Sequence, residues 1–199
     1  MKIESPKIIL LHPGKTGGTS IEHTLRDKYL PNIDLNSRIA NRDIMFGIDK
    51  TLGIYLQHSD IPIYKNLGIN LSDYKTICTV RRPYERIISS YFYNGKSKLY
   101  GFKTFVLYHL ERLSSNKLVN HFSPQLTYFK YGDYTVDHII KLENITEDSK
   151  AIGINVKYHY SKTIGTPKIK NVMDMYDEQT KDIVYNLYKE DFELLGYEK

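Results

Sequence analysis

The chain has no tryptophan and a single cysteine, Cys78, among its 199 residues. One cysteine excludes an internal disulfide and any cysteine-rich zinc cluster. It sits in the apolar run Thr76-Ile77-Cys78-Thr79-Val80, where it reads as a small buried hydrophobe. No apolar stretch is long enough to cross a bilayer, so no membrane span is expected. Dense Lys/Arg tracts, zinc-finger spacings and RNP-type aromatic motifs are all missing, so no nucleic acid is expected as a partner. Met1-Lys2-Ile3-Glu4-Ser5-Pro6 leads straight into the first apolar run. That predicts no signal peptide and a cytoplasmic location. Repeats and low-complexity linkers are also lacking, and a chain of this length is most simply one domain with a core of its own.

What is present begins with charge. The formal net charge is +5 and the pI is near 9.0, a modest bias toward anionic ligands. Short apolar runs alternate with helical segments, which predicts an α/β fold with a mainly parallel central sheet flanked by helices. Strands are expected near Lys7–His12, Leu52–Gln57, Lys75–Val80 and Val136–Leu142. Helices are expected at Gly18–Tyr29, Pro83–Asn94, Lys103–Leu113 and Asp177–Leu195. Pro83 suits a first helical turn. Most of the eighteen tyrosines are expected to be half-buried packing residues.

The densest signal is His12-Pro13-Gly14-Lys15-Thr16-Gly17-Gly18-Thr19-Ser20, between the apolar run Ile8–Leu11 and the predicted helix. A buried strand, a glycine-rich turn with one lysine and three hydroxyls, then a helix start make a phosphate cradle. Glycines let backbone N–H groups approach an oxyanion, and the helix N-terminus adds aligned donors. The loop is P-loop-like but not a Walker A sequence, because its lysine precedes the glycine pair. Nothing obvious in the loop is arranged to hold Mg²⁺, and no metal site is expected.

A second constellation is Thr79-Val80-Arg81-Arg82-Pro83-Tyr84-Glu85-Arg86-Ile87-Ile88-Ser89-Ser90-Tyr91, again strand, turn and helix. Ile87, Ile88, Tyr91 and Phe92 read as its buried face. Arg86, Ser89, Ser90 and Tyr93 fall on the other side. Arg81 emerges at the carboxyl end of its strand, the edge where open α/β sheets bind ligands. With a serine nearby it would suit a second phosphate. Arg86 reads equally well as a solvated helix-start residue paired to an acid.

The two motifs together resemble those of the sulfotransferases that use 3′-phosphoadenosine 5′-phosphosulfate (PAPS), most of all the carbohydrate branch that includes the heparan sulfate 2-O-sulfotransferases. The resemblance implies a single sulfotransferase domain over residues 1–199. It implies that Lys15, Thr16, Gly17, Gly18, Thr19 and Ser20 cradle the 5′-phosphosulfate and that Arg81 and Ser89 clamp the 3′-phosphate. PAPS would be the co-substrate and adenosine 3′,5′-bisphosphate the product, with no metal needed for transfer. His121-Phe122-Ser123-Pro124-Gln125 resembles the family's Pro-Gln segment, and Val136–Ile145 its late strand with a following short helix. Tyr158–Thr163 falls where the family has a loop closing over the nucleotide. The partner would be a hydroxyl-bearing acceptor, a glycan, read by the loops 32–51 and 113–131.

Transfer to a hydroxyl needs a proton acceptor, and histidine suits this near neutral pH. His58 follows the expected strand Leu52–Gln57 and lies ahead of the 3′-phosphate motif, as the general base does in the carbohydrate sulfotransferases. His12, at the end of the first strand, is its rival. His23 and His109 lie within predicted helices and read as structural. His58 and Lys15 are thus the expected catalytic pair. Two other readings stand beside this one. One is a P-loop nucleotide kinase or phosphotransferase, for which a Walker-type Lys-Ser/Thr and a metal-holding acid are not evident. The other is a catalytically inactive nucleotide- or glycan-binding module.

Overall fold

The computed structural model describes residues 1–31, 48–49, 54–55, 57–115, 121–157 and 171–199. Strands β1 (Lys2–Ile3) and β2 (Ile8–Leu11) precede helix α1 (Gly18–Tyr29). A hairpin of β3 (Ile48–Asp49) and β4 (Ile54–Tyr55) follows, then α2 (Ile61–Asn66) and β5 (Lys75–Val80). Next come α3 (Pro83–Tyr93), α4 (Phe102–Tyr108), α5 (Leu110–Ser114) and α6 (Leu126–Phe129). The hairpin β6 (Lys130–Tyr131) and β7 (Tyr134–Thr135), then β8 (His138–Lys141) and α7 (Ile145–Ala151), lead to α8 (Glu178–Leu187) and α9 (Lys189–Leu195). The fold is α/β with a mainly parallel sheet, as the alternation of runs predicts. Among the described residues, no helix is long and apolar enough to cross a membrane. The chain forms two compact units, Met1–Val80 with Thr127–Tyr160, and Arg81–Leu126 with Ser161–Lys199.

The first unit holds the sheet, in the order β1-β2-β5-β8. β2, β5 and β8 are parallel, and β1 is antiparallel at one edge. Leu10 pairs with Ile77, and Thr79 with Ile140. Ile8, Leu10, Ile77 and Ile140 therefore share one face, where they pack with Ile21 and Leu25 of α1 and with Ile154. The alternate residues Ile9, Leu11, Cys78 and Val80 are equally buried. Burial on both faces is why these strands are unbroken apolar runs. The expected strand at Leu52–Gln57 differs. Within it the described strand is β4, which pairs antiparallel with β3 and not with the main sheet. Ile48 pairs with Tyr55, a separation that suits a hairpin, whereas a parallel neighbour needs a crossover of about a dozen residues or more. Residues 50–53 and 56 lie outside the described residues.

The second unit is helical, with a largely aromatic core. The Tyr84 ring lies 5.0 Å from those of Tyr176 and Phe192, and Tyr91 lies 5.2 Å from Phe102, all edge-on. Its buried hydroxyls find carbonyl acceptors: Tyr188 donates to Phe122 at 2.6 Å and Tyr176 to Tyr84 at 2.9 Å. Two helices expected to be continuous are broken. The first breaks at His109, which stacks on Tyr100 with ring centres 4.0 Å apart. The second breaks at Tyr188, whose buried ring turns inward to reach Phe122. Helix α8 starts where expected because Asp177 and Thr180 form a reciprocal capping box.

Candidate active site

The loop after β2 owes its shape to two left-handed residues, Lys15 at φ 71° and Gly17 at φ 81°. Residues of this kind turn successive N–H groups toward one side, as in anion-binding nests. Gly17 immediately precedes α1, and no side chain caps that helix, so its first-turn amides are not claimed by a side-chain acceptor. One of them is engaged within the backbone, since Ser20 N–H donates to Gly17 O at 3.0 Å. The Thr16 side chain is fully buried. Its hydroxyl donates to Pro13 O at 2.7 Å and accepts from the Thr79 hydroxyl at 2.7 Å. Thr16 thus ties the loop to β5 rather than offering its hydroxyl outward. Lys15 is half-buried and Thr19 exposed.

The glycine pair answers to packing as well as to conformation. A Cβ on Gly17 would lie 2.5 Å from Leu142 Cδ1, and one on Gly18 would fall on the imidazole of His12. His12 is buried beneath the start of α1 and donates from Nε2 to Glu22 Oε1 at 2.9 Å. Glu22 is fully buried, and its other oxygen accepts from Gln57 Nε2 at 3.4 Å. Burial pushes the Glu22 carboxyl up, but its interactions with His12, and to a smaller extent with the N-terminal ammonium and His58, together outweigh it and hold the group below the usual carboxylate range. Sequence reasoning missed Glu22. The available signal was an acid lodged between Ile21 and Leu25, on the face α1 turns to the sheet.

His58 meets this cluster directly. Its Nδ1 donates to the carbonyl oxygen of His12 at 2.9 Å, and the two rings lie edge-on with centres 4.7 Å apart. Tyr128 holds His58 from the other side, its hydroxyl donating to the His58 carbonyl at 2.9 Å. Because a carbonyl only accepts, Nδ1 carries the hydrogen, and in neutral imidazole the lone pair is on Nε2. His58 is therefore at the carboxyl end of β2, though not by extending a strand of the main sheet. The contact with the His12 backbone brings it there. His23 bonds Arg26 within α1.

In the second unit, Arg81 is half-buried and begins the turn into α3. Ser89 is 3% exposed, and its hydroxyl has no partner among the described residues. Of the two readings of Arg86, the solvated helix start does not hold: Arg86, Ser89 and Ser90 are buried, and only Tyr93 of that face is exposed. The segment 121–125 explains the difference. Arg86 Nη1 donates to Ser123 O at 2.8 Å, and the Ser90 hydroxyl to His121 O at 2.9 Å. The same segment carries Gln125, which the sequence marks as part of a motif without indicating a task. Gln125 Oε1 accepts from Arg81 N–H, and its Nε2 donates to Arg81 O, each at 2.9 Å. The expected closing loop 158–163, and most of the loop 32–51, lie outside the described residues.

The first unit thus carries a glycine-rich loop beside an uncapped helix, and the second a half-buried arginine and a buried serine hydroxyl without a partner among the described residues. A comparison with known families decides what they belong to. The model described as the sulfotransferase family matches residues 4–198. The chain belongs to the sulfotransferase family. It is a transferase that takes its sulfuryl group from PAPS. No curated protein and no solved structure matches this sulfotransferase. The residues present fit the donor nucleotide. The unpartnered Ser89 hydroxyl supplies a buried donor for an anion, and the loop 14–19 offers amides and the Lys15 ammonium for a second one.

Proposed function

We propose that this sulfotransferase transfers the sulfuryl group to a hydroxyl of a carbohydrate, with His58 as the general base. PAPS supplies the activated sulfuryl group when bound. Lys15 carries the positive charge that stabilises negative charge developing on the departing phosphate, and the amides of Gly17, Gly18 and Thr19 hold the same group. That assignment needs no metal. Thr16 and Ser20 shape the loop from behind. Arg81 and Ser89 hold the 3′-phosphate. His58 accepts the acceptor's proton at Nε2. The family match runs through both units, which supports reading residues 1–199 as one sulfotransferase domain. The carbohydrate as acceptor rests on the resemblance of the two motifs to the carbohydrate branch.

The observation that carries the base assignment is the bond from His58 Nδ1 to the His12 carbonyl. It fixes the tautomer that leaves Nε2 as the acceptor. His12 instead has its Nε2 engaged by a buried carboxylate, which suits support rather than proton transfer. The experiment measures sulfate transfer from labelled PAPS to a glycan panel, together with binding of adenosine 3′,5′-bisphosphate. His58→Ala is expected to lose about 10²–10⁴ in turnover while keeping its bisphosphate affinity. Near-normal turnover in that variant, alongside a folded but inactive His12→Ala, would move the role to His12. Wild-type protein is also expected to bind the bisphosphate far more tightly than AMP. Equal affinities would remove the 3′-phosphate role from Arg81 and Ser89.

A further inference from the structure

Arg81 stands one residue beyond the last paired residue of β5, Val80. Its peptide groups have left the ladder, and α3 begins only at Pro83. Backbone donors and acceptors at such a turn need partners. Gln125 supplies both with one planar amide, accepting from Arg81 N–H and donating to Arg81 O, each at 2.9 Å. Two bonds from a rigid plane to one residue fix the direction in which its side chain leaves the backbone.

Gln125 is itself held. It is fully buried, and its own N–H forks to both oxygens of Asp191 at 2.9 and 2.8 Å. Its Nε2 lies 3.4 Å from Asp191 Oδ2. Asp191 is fully buried as well, with the buried Arg86 guanidinium as its nearby counter-charge. Arg86 in turn donates to Ser123 O, two residues before Gln125. Burying a carboxylate, a guanidinium and an amide is an expensive way to fill space, because apolar residues of similar volume serve packing as well or better. Here the carboxylate and the guanidinium hold the segment that carries Gln125, and the Gln125 amide alone meets the main chain of Arg81, whose own side chain is half-buried.

We propose that Gln125, backed by Asp191, is a positioning residue that aims Arg81 at the 3′-phosphate of the donor nucleotide. The inference rests on the reading of Arg81 given under the proposed function. The test is calorimetry on the full chain with adenosine 3′,5′-bisphosphate and with AMP, comparing wild type, Arg81→Ala, Gln125→Met and Asp191→Asn. Gln125→Met keeps the volume and removes both bonds to Arg81. It is expected to weaken the bisphosphate about tenfold and AMP less than about twofold, the scale of losing the aim of a charge-assisted contact. Asp191→Asn presents a donor where Gln125 also donates, and is expected to lower the same preference by about threefold, a smaller share of that contact. Arg81→Ala should abolish the preference. A network that only stabilises the fold would lower the melting temperature and weaken both nucleotides alike, and that result overturns the proposal. If Gln125→Met does not fold, Asp191→Asn decides, and an unchanged preference in it overturns the proposal too. If Arg81→Ala keeps the preference, the reading of Arg81 has failed first and the positioning role falls with it.

Discussion

A lysine with positive φ bears a strain that glycine does not. At Lys15 that strain is kept where the side chain is proposed to act, so the two effects separate by substitution. Lys15→Ala and Lys15→Gly should both lose about 10²–10³ in turnover, the cost of one electrostatic stabiliser. Lys15→Gly should nonetheless be more stable in urea than Lys15→Ala by about 1 kcal/mol, the left-handed penalty of a residue with a Cβ. Equal midpoints would mean that no strain is carried there. Two buried carboxylates also titrate in opposite senses. Glu22 is held below its usual range, so its contribution to stability is present above the unfolded value of about 4.3 and lost as pH falls through its folded pKa. Asp191 is pushed up to about 6, mainly by burial, against the pull of Gln125 N–H and Arg86. Its contribution is fully present below the unfolded value near 3.9 and lost as pH rises through about 6. Asp191→Asn should therefore flatten the fall in unfolding free energy between about pH 4 and 6, read by urea titrations at stepped pH. Persistence of that slope in the variant would assign it to another group.

At the scale of elements, the start of α1 is built around His12, and Gly18 is the residue that leaves room for it. Gly18→Ala drives a Cβ into the imidazole, and should cost about 1–3 kcal/mol as an overpacked site. It should also disturb the His12 carbonyl that holds His58. Gly101→Ala is the control, because a Cβ there meets nothing within 4 Å. Thermal unfolding of both variants checks the contrast. Much of this was legible in the sequence. β5 and α1 lie at the expected residues, because an apolar run bounded by charge and a helix opened by glycine are local signals. The loop 12–20 was legible for the same reason. The breaks at His109 and Tyr188 were not, since each answers to a tertiary partner, the Tyr100 ring or the Phe122 carbonyl. Gln125 and Asp191 are far apart in sequence and meet only through the fold, so no spacing rule links them. The expected position of His58 at the end of a main-sheet strand rested on a partly mistaken reason: the strand before it belongs to a hairpin, and a bond to the His12 backbone brings it to β2.

At the scale of the whole molecule, the first unit is discontinuous in sequence. β5 pairs with β8, and residues 81–126 belong to the second unit between them. A fragment of residues 1–80 would keep β2 and β5 but lack Ile139 and Ile140 on their flank. It should therefore show no cooperative unfolding transition by circular dichroism, whereas the full chain should show one. A folded fragment would mean that β8 is dispensable to the sheet. Among the described residues the sheet has two borders, β1 and β8. The first is two residues long, and the second runs for four, from His138 to Lys141. Neither offers the long, flat, apolar row of free amides on which a foreign strand can grow. With a net charge of +5 keeping copies apart, the brevity of the outermost described strands guards this sheet's buried apolar strands against fibre-like self-association.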